Sequence, residues 1–326
     1  MSRSSSPRAW ALPRATHDRG FTTMRNITEH NITEAVIGRF ESCPDPRLKE
    51  ILSSLVRHLH AFVKESHLTE AEWFEGIQFL TAAGHITDDK RQEFILLSDT
   101  LGVSMLTVAQ NHAQPPGTTE ATVFGPFHVE GAPRYAQGAD IANGAPGEPL
   151  FVDATVRGPD GEPVSNAVVD VWQADEDGFY DVQYRELPEH RARGVLRTDA
   201  EGRLRFRTIL PVAYPVPTDG PVGRMLVASG RHPWRPAHVH VRIQAPGYRT
   251  LITHVFRAGD PYLNSDVVFG VRASLVADYV PHGAGTGPHA HESDRDYHAL
   301  DFDFVLAREA VAPSTADWAP LPRSTR

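Results

Sequence analysis

The 326-residue chain is 40% hydrophobic and 22% charged with a formal net charge of −9, the composition of a soluble globular protein of one large domain or two ordinary ones. The acidic balance and the lack of a long basic stripe argue against general nucleic-acid binding, and a single cysteine, Cys43, excludes an internal disulfide framework, cysteine-rich zinc modules and iron–sulfur clusters. No apolar run approaches the roughly 18 residues that span a bilayer, so a cytoplasmic location is expected and any metal must be held by nitrogen and oxygen.

Residues 1–24 are rich in Ser and Arg and read as a disordered extension, or as lying upstream of a true start at Met24. The repeated N-I-T-E at 26–29 and 31–34 reads as a helix cap. From about 30 to 112 the periodicity is helical, and a helical domain is expected over 25–115. Asp45 caps a helix with Pro46 at its first position, and Leu48, Leu52, Leu55, Leu59 and Phe62 then recur at steps of four and three. That stripe needs a partner, within the subunit or across a dimer interface. Thr69 and Glu72 form a capping box ahead of Trp73, Ile77 and Leu80, and a further helix carries Phe94, Ile95 and Leu97.

After Pro115-Pro116-Gly117 the character changes. Short β-rich runs at 151–156, 167–172, 204–209, 238–243, 251–256 and 300–305 are separated by turns such as P-D-G-E at 159–162 and A-G-D-P at 258–261. The expected class is α+β, with an antiparallel β-sandwich over 116–310 and a tail from 311 to 326.

The chemistry centres on R-P-A-H-V-H-V-R, Arg235 to Arg242. Apolar Val239, Val241 and Ile243 alternate with His238, His240 and Arg242, the period of a half-buried strand. Both histidines then point one way, about 6.5–7 Å apart at Cα, and can tilt onto one ion. His-x-His also arises by chance among 17 histidines. The copy at His289 and His291, within a Gly/Pro-rich insert spanning 282–298, reads as a solvated loop with no assigned function. Tyr180 follows D-E-D-G-F in a polar loop and Tyr214 is pinned by prolines in L-P-V-A-Y-P-V-P. Each alone fits a structural role, but two phenolates with two imidazoles would favour a ferric ion over zinc or ferrous iron. Arg235 is either a permanent cation beside an anionic substrate or a surface ion pair. A facial triad or a cupin pattern needs a nearby acid, and none follows His240 before Asp260.

These residues carry a resemblance. V-W-Q-A-D-E-D-G-F-Y, L-P-V-A-Y-P-V-P, G-R-H-P-W-R-P-A-H-V-H, A-P-G-Y-R-T-L-I-T-H-V-F and D-P-Y-L-N-S-D-V-V-F-G-V together resemble the intradiol ring-cleavage dioxygenases of the catechol 1,2-dioxygenase family, most of all their hydroxyquinol-cleaving members, over roughly 25 to 310. The resemblance implies one Fe(III) per subunit held by Tyr180, Tyr214, His238 and His240. The diol would bind as a chelating dianion with Tyr214 as a proton acceptor, and Arg235 would stabilise charge on the ring. Family pocket positions fall on Leu96, Asp99, Val123, Phe124, Gly125, Pro126, Phe127, Val216, Pro217 and Val268.

Catechol-preferring relatives carry proline at the position of Asp99, so a carboxylate there could pair with a third ring hydroxyl; the alternative is a solvated acid at a helix end. His254 stands where catechol-type members have glutamine, is counted with the substrate-binding residues, and would donate a hydrogen bond from behind the metal ligands. The implied reaction is O2-dependent cleavage of hydroxyquinol, benzene-1,2,4-triol, to 3-hydroxy-cis,cis-muconate and its tautomer maleylacetate. The implied assembly is a homodimer through the helical region, with a phospholipid bound there. Alternatives are a catechol or chlorocatechol 1,2-dioxygenase and a non-catalytic transthyretin-like binding module.

Overall fold

A computed structural model describes residues 25–88, 91–112, 115–184, 187, 189–286 and 292–309. The expectations for residues 1–24, for 311–326 and for His289 and His291 lie outside the described residues. The chain divides into two compact units, residues 1–77 and 78–326, with the division inside a helix.

In the first unit, α1 (Ile32–Gly38) is followed by α2 (Pro46–Glu65). The Asp45 side chain accepts hydrogen bonds from the Arg47 and Leu48 amides at 2.9 and 3.1 Å, the expected cap. Asn31 precedes α1, but its Oδ1 accepts from the Thr28 amide behind it, so the expected N-I-T-E cap bonds backwards and leaves the helix amides alone. Thr33 Oγ1 and His60 Nδ1 join α1 to α2 at 3.0 Å. The expected stripe on α2 is only partly covered within the chain: Leu55, Leu59 and Phe62 are each at least half exposed. The third helix, α3 (Glu70–Ile86), crosses the division and begins with the expected reciprocal bonds between Thr69 and Glu72.

The second unit adds α4 (Glu93–Thr100) and α5 (Val103–Asn111), separated at Gly102, and then the β region. In chain order this comprises β1 (Pro149–Arg157), β2 (Val168–Trp172), β3 (Arg193–Arg197), β4 (Arg203–Ile209), β5 (Tyr214–Pro215), α6 (Pro221–Ala228), β6 (Trp234–Arg235), β7 (His238–Gln244), β8 (Leu251–Arg257), β9 (Val276–Ala277), β10 (Tyr279–His282), β11 (Gly285–Thr286), β12 (Glu292–Ser293) and β13 (Tyr297–Val305). One sheet has the order β10-β13-β1-β4 and the other β3-β2-β7-β8-β9. Both are mixed, which corrects the expectation of a purely antiparallel sandwich. β1 runs parallel to β13, and β8 to β9. These pairs join strands distant in sequence, for which no hairpin imposes the antiparallel sense.

The sheets pack face to face through alternate residues: Val152 and Ala154 of β1, Val169 and Val171 of β2, Val239, Val241 and Ile243 of β7, and Leu300 and Phe304 of β13 share one buried core. Because side chains alternate, the opposite face of the five-stranded sheet presents Asp170 and Trp172, His238 and His240, and His254 and Phe256. Among the described residues no helix is long and apolar enough to cross a membrane.

Candidate metal centre

His238 and His240 leave the face of β7 away from the sandwich core, as their spacing predicts, but that face is not half-solvated: they are 2% and 1% exposed. Gly125 lets one covering segment approach, because a Cβ there would lie 3.1 Å from the His240 ring, and its φ of +75° is one that L side chains rarely adopt. Tyr214 is brought in by pairing directly opposite Arg235 in the β5–β6 ribbon. Tyr180 sits at the start of a helical turn, its amide donating to Gln183 Oε1 at 2.8 Å. Its neighbour Asp181 is gripped by buried Arg193, whose Nε lies 3.1 and 3.0 Å from the two carboxylate oxygens. The polar loop expected around Tyr180 therefore ends in a phenol with no exposed surface.

The four side chains converge. Tyr180 Oη lies 3.1 Å from Tyr214 Oη and 2.8 Å from His240 Nε2, and His238 Nε2 lies 3.1 Å from His240 Nε2. Separations of about 2.8–3.3 Å are those expected between donors sharing an ion at bond lengths near 2 Å. The tautomers strengthen the case. His238 Nδ1–H donates to the Pro236 carbonyl at 2.6 Å, which leaves Nε2 to accept from Arg235 Nη1 at 3.2 Å, and the Tyr180 hydroxyl shares a hydrogen bond with His240 Nε2. His240 Nε2 thus has the Tyr180 hydroxyl at 2.8 Å and His238 Nε2 at 3.1 Å in a water-poor interior, a set of donor atoms that one cation can share. Burial holds both imidazoles well below the usual histidine range, aided by Arg235, and pushes the Tyr180 phenol well above 10, aided by Tyr214. Neutral imidazoles are ready ligands, and a bound cation reverses the cost of ionising a phenol. The residues present fit a metal cofactor.

Aromatic packing holds the donors in place. Trp172 stacks on the His240 ring with centroids 4.8 Å apart and 13° between planes, and Phe127 stacks on Tyr180 at 4.4 Å. His254 lies opposite His240 in the β7–β8 register, with ring centroids 4.2 Å apart. Its Nδ1 bonds to Thr122 Oγ1, which ties the ring to the far side of the histidine pair's strand partner. His238, His240 and His254 can each place a nitrogen within 4.8 Å of the others, and no carboxylate joins them among the described residues. Asp260, the acid a facial triad would need, accepts from the Ala237 amide at 3.0 Å.

Through Tyr214, the one of the four that lines it, the cluster borders a cavity of about 820 Å³. Its wall includes Leu96, Asp99, Val123, Gly125, Pro126, Phe127, Tyr214, Val216, Pro217, Arg235 and Val268. Phe124, expected there, is not part of it: the chain turns at Gly125, and Phe124 packs instead on His128 and Trp172 while remaining 38% exposed. Asp99 does stand in the last turn of α4, but it is buried and not solvated. Burial raises its carboxyl above the usual range against the opposing influence of Ser104 and Arg235. Arg235 is likewise no surface ion pair: it is 4% exposed, with Nη1 3.3 Å from Tyr214 Oη and 3.2 Å from His238 Nε2.

Sequence reasoning missed several participants. Trp172 and Asp266 both lie within the motifs quoted above, but stacking on His240 and pairing with Arg235 join residues that only the fold brings together. His128, which borders the cavity next to Phe127, carried no pattern of its own.

A profile described as "Dioxygenase" matches residues 123–308 and one described as "Catechol dioxygenase N terminus" matches residues 45–119. A 6-chlorohydroxyquinol 1,2-dioxygenase of Cupriavidus pinatubonensis is 60% identical over 283 residues, covering 87% of this chain and 99% of the relative. A hydroxyquinol 1,2-dioxygenase of Nocardioides simplex is 53% identical over 281 residues, 86% of this chain and 95% of the relative. Among solved structures, a hydroxyquinol 1,2-dioxygenase from Pseudomonas putida matches with a TM-score of 0.81 at 50% identity, covering 86% of this chain and 99% of that one. With the same two-part organisation and a buried cluster suited to a metal, the chain belongs to the intradiol ring-cleavage dioxygenase family.

Proposed function

We propose that Tyr180, Tyr214, His238 and His240 hold a ferric ion and that the protein cleaves hydroxyquinol with O2 between its adjacent hydroxyls, giving 3-hydroxy-cis,cis-muconate. The observation that carries this reading is the buried convergence of two phenol oxygens and two imidazole nitrogens at 2.8–3.1 Å. Two hard phenolates beside two imidazoles favour Fe(III) over softer or divalent choices. The bound ion supplies Lewis acidity and a template for the chelated diol.

The chain's own groups do the rest. Tyr214, within reach of Arg235 Nη1, accepts a proton from the incoming diol, and the guanidinium stabilises negative charge on the ring. Leu96, Val123, Phe127, Val216 and Val268 present apolar surface that orients the ring and limits water. Asp99 faces the third hydroxyl, and a buried carboxyl left unpaired by catechol would discriminate against it. The cavity is roomier than one ring requires, and a 60%-identical relative is named for 6-chlorohydroxyquinol, so ring-chlorinated triols belong to the same reading.

In this reading residues 116–310 form the catalytic domain, with Leu96 and Asp99 of α4 completing its cavity. Residues 25–115 provide a homodimer interface at which a phospholipid can bind, a role that the exposed Leu55, Leu59 and Phe62 support. The site of action is the cytoplasm.

The test combines metal analysis, the visible spectrum and comparative kinetics. Expected are one iron per chain, a broad tyrosinate-to-ferric band that moves to longer wavelength with anaerobic hydroxyquinol, and a higher kcat/KM for hydroxyquinol than for catechol. A higher value for catechol or chlorocatechol would move the assignment to those substrates. A protein that stays colourless after iron reconstitution would leave the binding-module reading.

A further inference from the structure

Arg235 carries five N–H donors in one plane, and the tilt of that plane decides which of them face the donor cluster. Nε donates to Asp266 Oδ1 at 3.2 Å and Nη2 to Oδ2 at 3.4 Å, a side-on grip that leaves Nη1 beside Tyr214 Oη and His238 Nε2. Arg235 is 4% exposed and Asp266 5%, so water does not compete for these bonds.

The grip is itself anchored. The Val268 amide donates to Asp266 Oδ1 at 3.3 Å and the Gly270 amide to Oδ2 at 2.9 Å, closing a turn over 266–270. Phe269, within it, is held at φ +60°, a conformation that a bulky residue keeps only when its surroundings enforce it. The same turn sets Val268 in the cavity wall. A Cβ on Gly270 would lie 3.1 Å from both Arg235 Nη2 and Asp266 Oδ2, close enough that a side chain there would press on the grip.

We propose that Asp266 is a positioning residue, which turns the Arg235 guanidinium so that Nη1 meets the substrate's negative charge beside Tyr214 and couples that alignment to the turn carrying Val268. The proposal rests on the reading of Arg235 as the cation facing a chelated aryl dianion. Asp266 touches no reacting atom; its effect passes through Arg235. Replacing it with a neutral residue therefore costs alignment more than attraction, because the freed guanidinium keeps its charge.

The test uses the iron-loaded full chain with Asp266→Asn, Gly270→Ala, Arg235→Gln and the double variant Arg235→Gln/Asp266→Asn. Metal content and thermal unfolding establish which variants are folded. Asp266→Asn is expected to lower kcat about 10- to 100-fold, the scale of a small misplacement. The dissociation constant for anaerobic hydroxyquinol is expected to change by less than about threefold, well under 1 kcal/mol. The tyrosinate band should shift because the donor to Tyr214 has moved. Gly270→Ala, which keeps both charges, is expected to shift the band and kcat in the same direction by less, and it carries the test if Asp266→Asn does not fold. In the Arg235→Gln background the Asp266 substitution should add nothing to kcat.

Unchanged kcat and band in Asp266→Asn or, if that variant does not fold, in Gly270→Ala would overturn the proposal. So would an effect of undiminished size when Arg235 is already Gln. A wild-type protein that takes up iron without a tyrosinate band overturns the metal-centre reading itself, an outcome distinct from these.

Discussion

Val239, Val241 and Ile243 leave one face of β7 and His238 and His240 the other, and every one of the five is at most 4% exposed. On the first face, burial stabilises through removed apolar area and close packing, contributions that are non-directional and spread over many contacts. On the second, burial is a cost that specific partners must offset: Pro236 for His238, Tyr180 for His240, Thr122 for His254 and Asp266 for Arg235. The first face determines whether the sheet exists; the second, what it can bind. Damage to each should therefore register in different measurements.

The largest separation is expected from His240→Ala. It should abolish metal retention and lower ring cleavage at least about 10³-fold, equivalent to about 4 kcal/mol of transition-state stabilisation, while the unfolding transition of the sandwich persists. Metal analysis alongside oxygen uptake measures this, and a variant that kept its iron and its rate would collapse the distinction between the faces. Ile243→Ala, three strand positions further along and therefore facing the core, should cost about 2–5 kcal/mol of stability. Turnover per bound iron should stay at the wild-type value, which chemical denaturation and active-site titration on one preparation would show together.

Asp99→Asn sharpens the comparison within the cavity wall. It should lower the ratio of kcat/KM for hydroxyquinol over catechol about 10- to 100-fold, the range for a single pairing group. An unchanged ratio would remove Asp99 from substrate choice. Proline is a poor probe here, because Asp99 lies in the last turn of α4, where a proline removes an intrahelical amide at a cost of up to about 3 kcal/mol.

The smallest effect concerns Asp170, on the same polar face as the histidines. Burial alone would raise its carboxyl, but His128 at 3.8 Å and the Arg242 guanidinium, whose Nε donates to Oδ2 at 2.9 Å, outweigh it and hold the group below the ordinary aspartate value. A depressed carboxylate contributes stability that is present above its unfolded value, about 3.9, and is lost as pH falls through its lower folded value. Melting curves of the wild type and Asp170→Asn should thus be furthest apart near neutrality and converge toward the acid end. Parallel curves would show that Asp170 adds no pH-dependent stability.

Much of the scaffold was readable because local physics repeats. Asp45 before Pro46 and Thr69 before Glu72 cap their helices through bonds spanning two or three residues, and the alternation along 238–243 is a strand's own period. Where pairing joins distant segments, local pattern carries no direction, and the parallel partners β1 with β13 and β8 with β9 escaped it. The N-I-T-E cap failed for a related reason: an asparagine side chain can bond to either flank, and Asn31 bonds to Thr28. In the site, most wall positions were recovered from the family resemblance, whereas Phe124 was displaced by a backbone turn at Gly125 that its own identity does not encode.

The sequence by itself offered Tyr180, Tyr214, His238 and His240 as candidate donors and put the two histidines on one face of a strand, while the reading of Asp99 came from the family resemblance. Only the tertiary structure decided that the polar face of β7 is sealed, that Trp172 stacks on His240, and that Asp266 turns Arg235 toward the cluster. The physical reason is range. Caps and strand alternation are settled within a few residues of chain, whereas burial and the pairing of charges depend on segments 30 or more residues apart meeting in a place from which water has been removed.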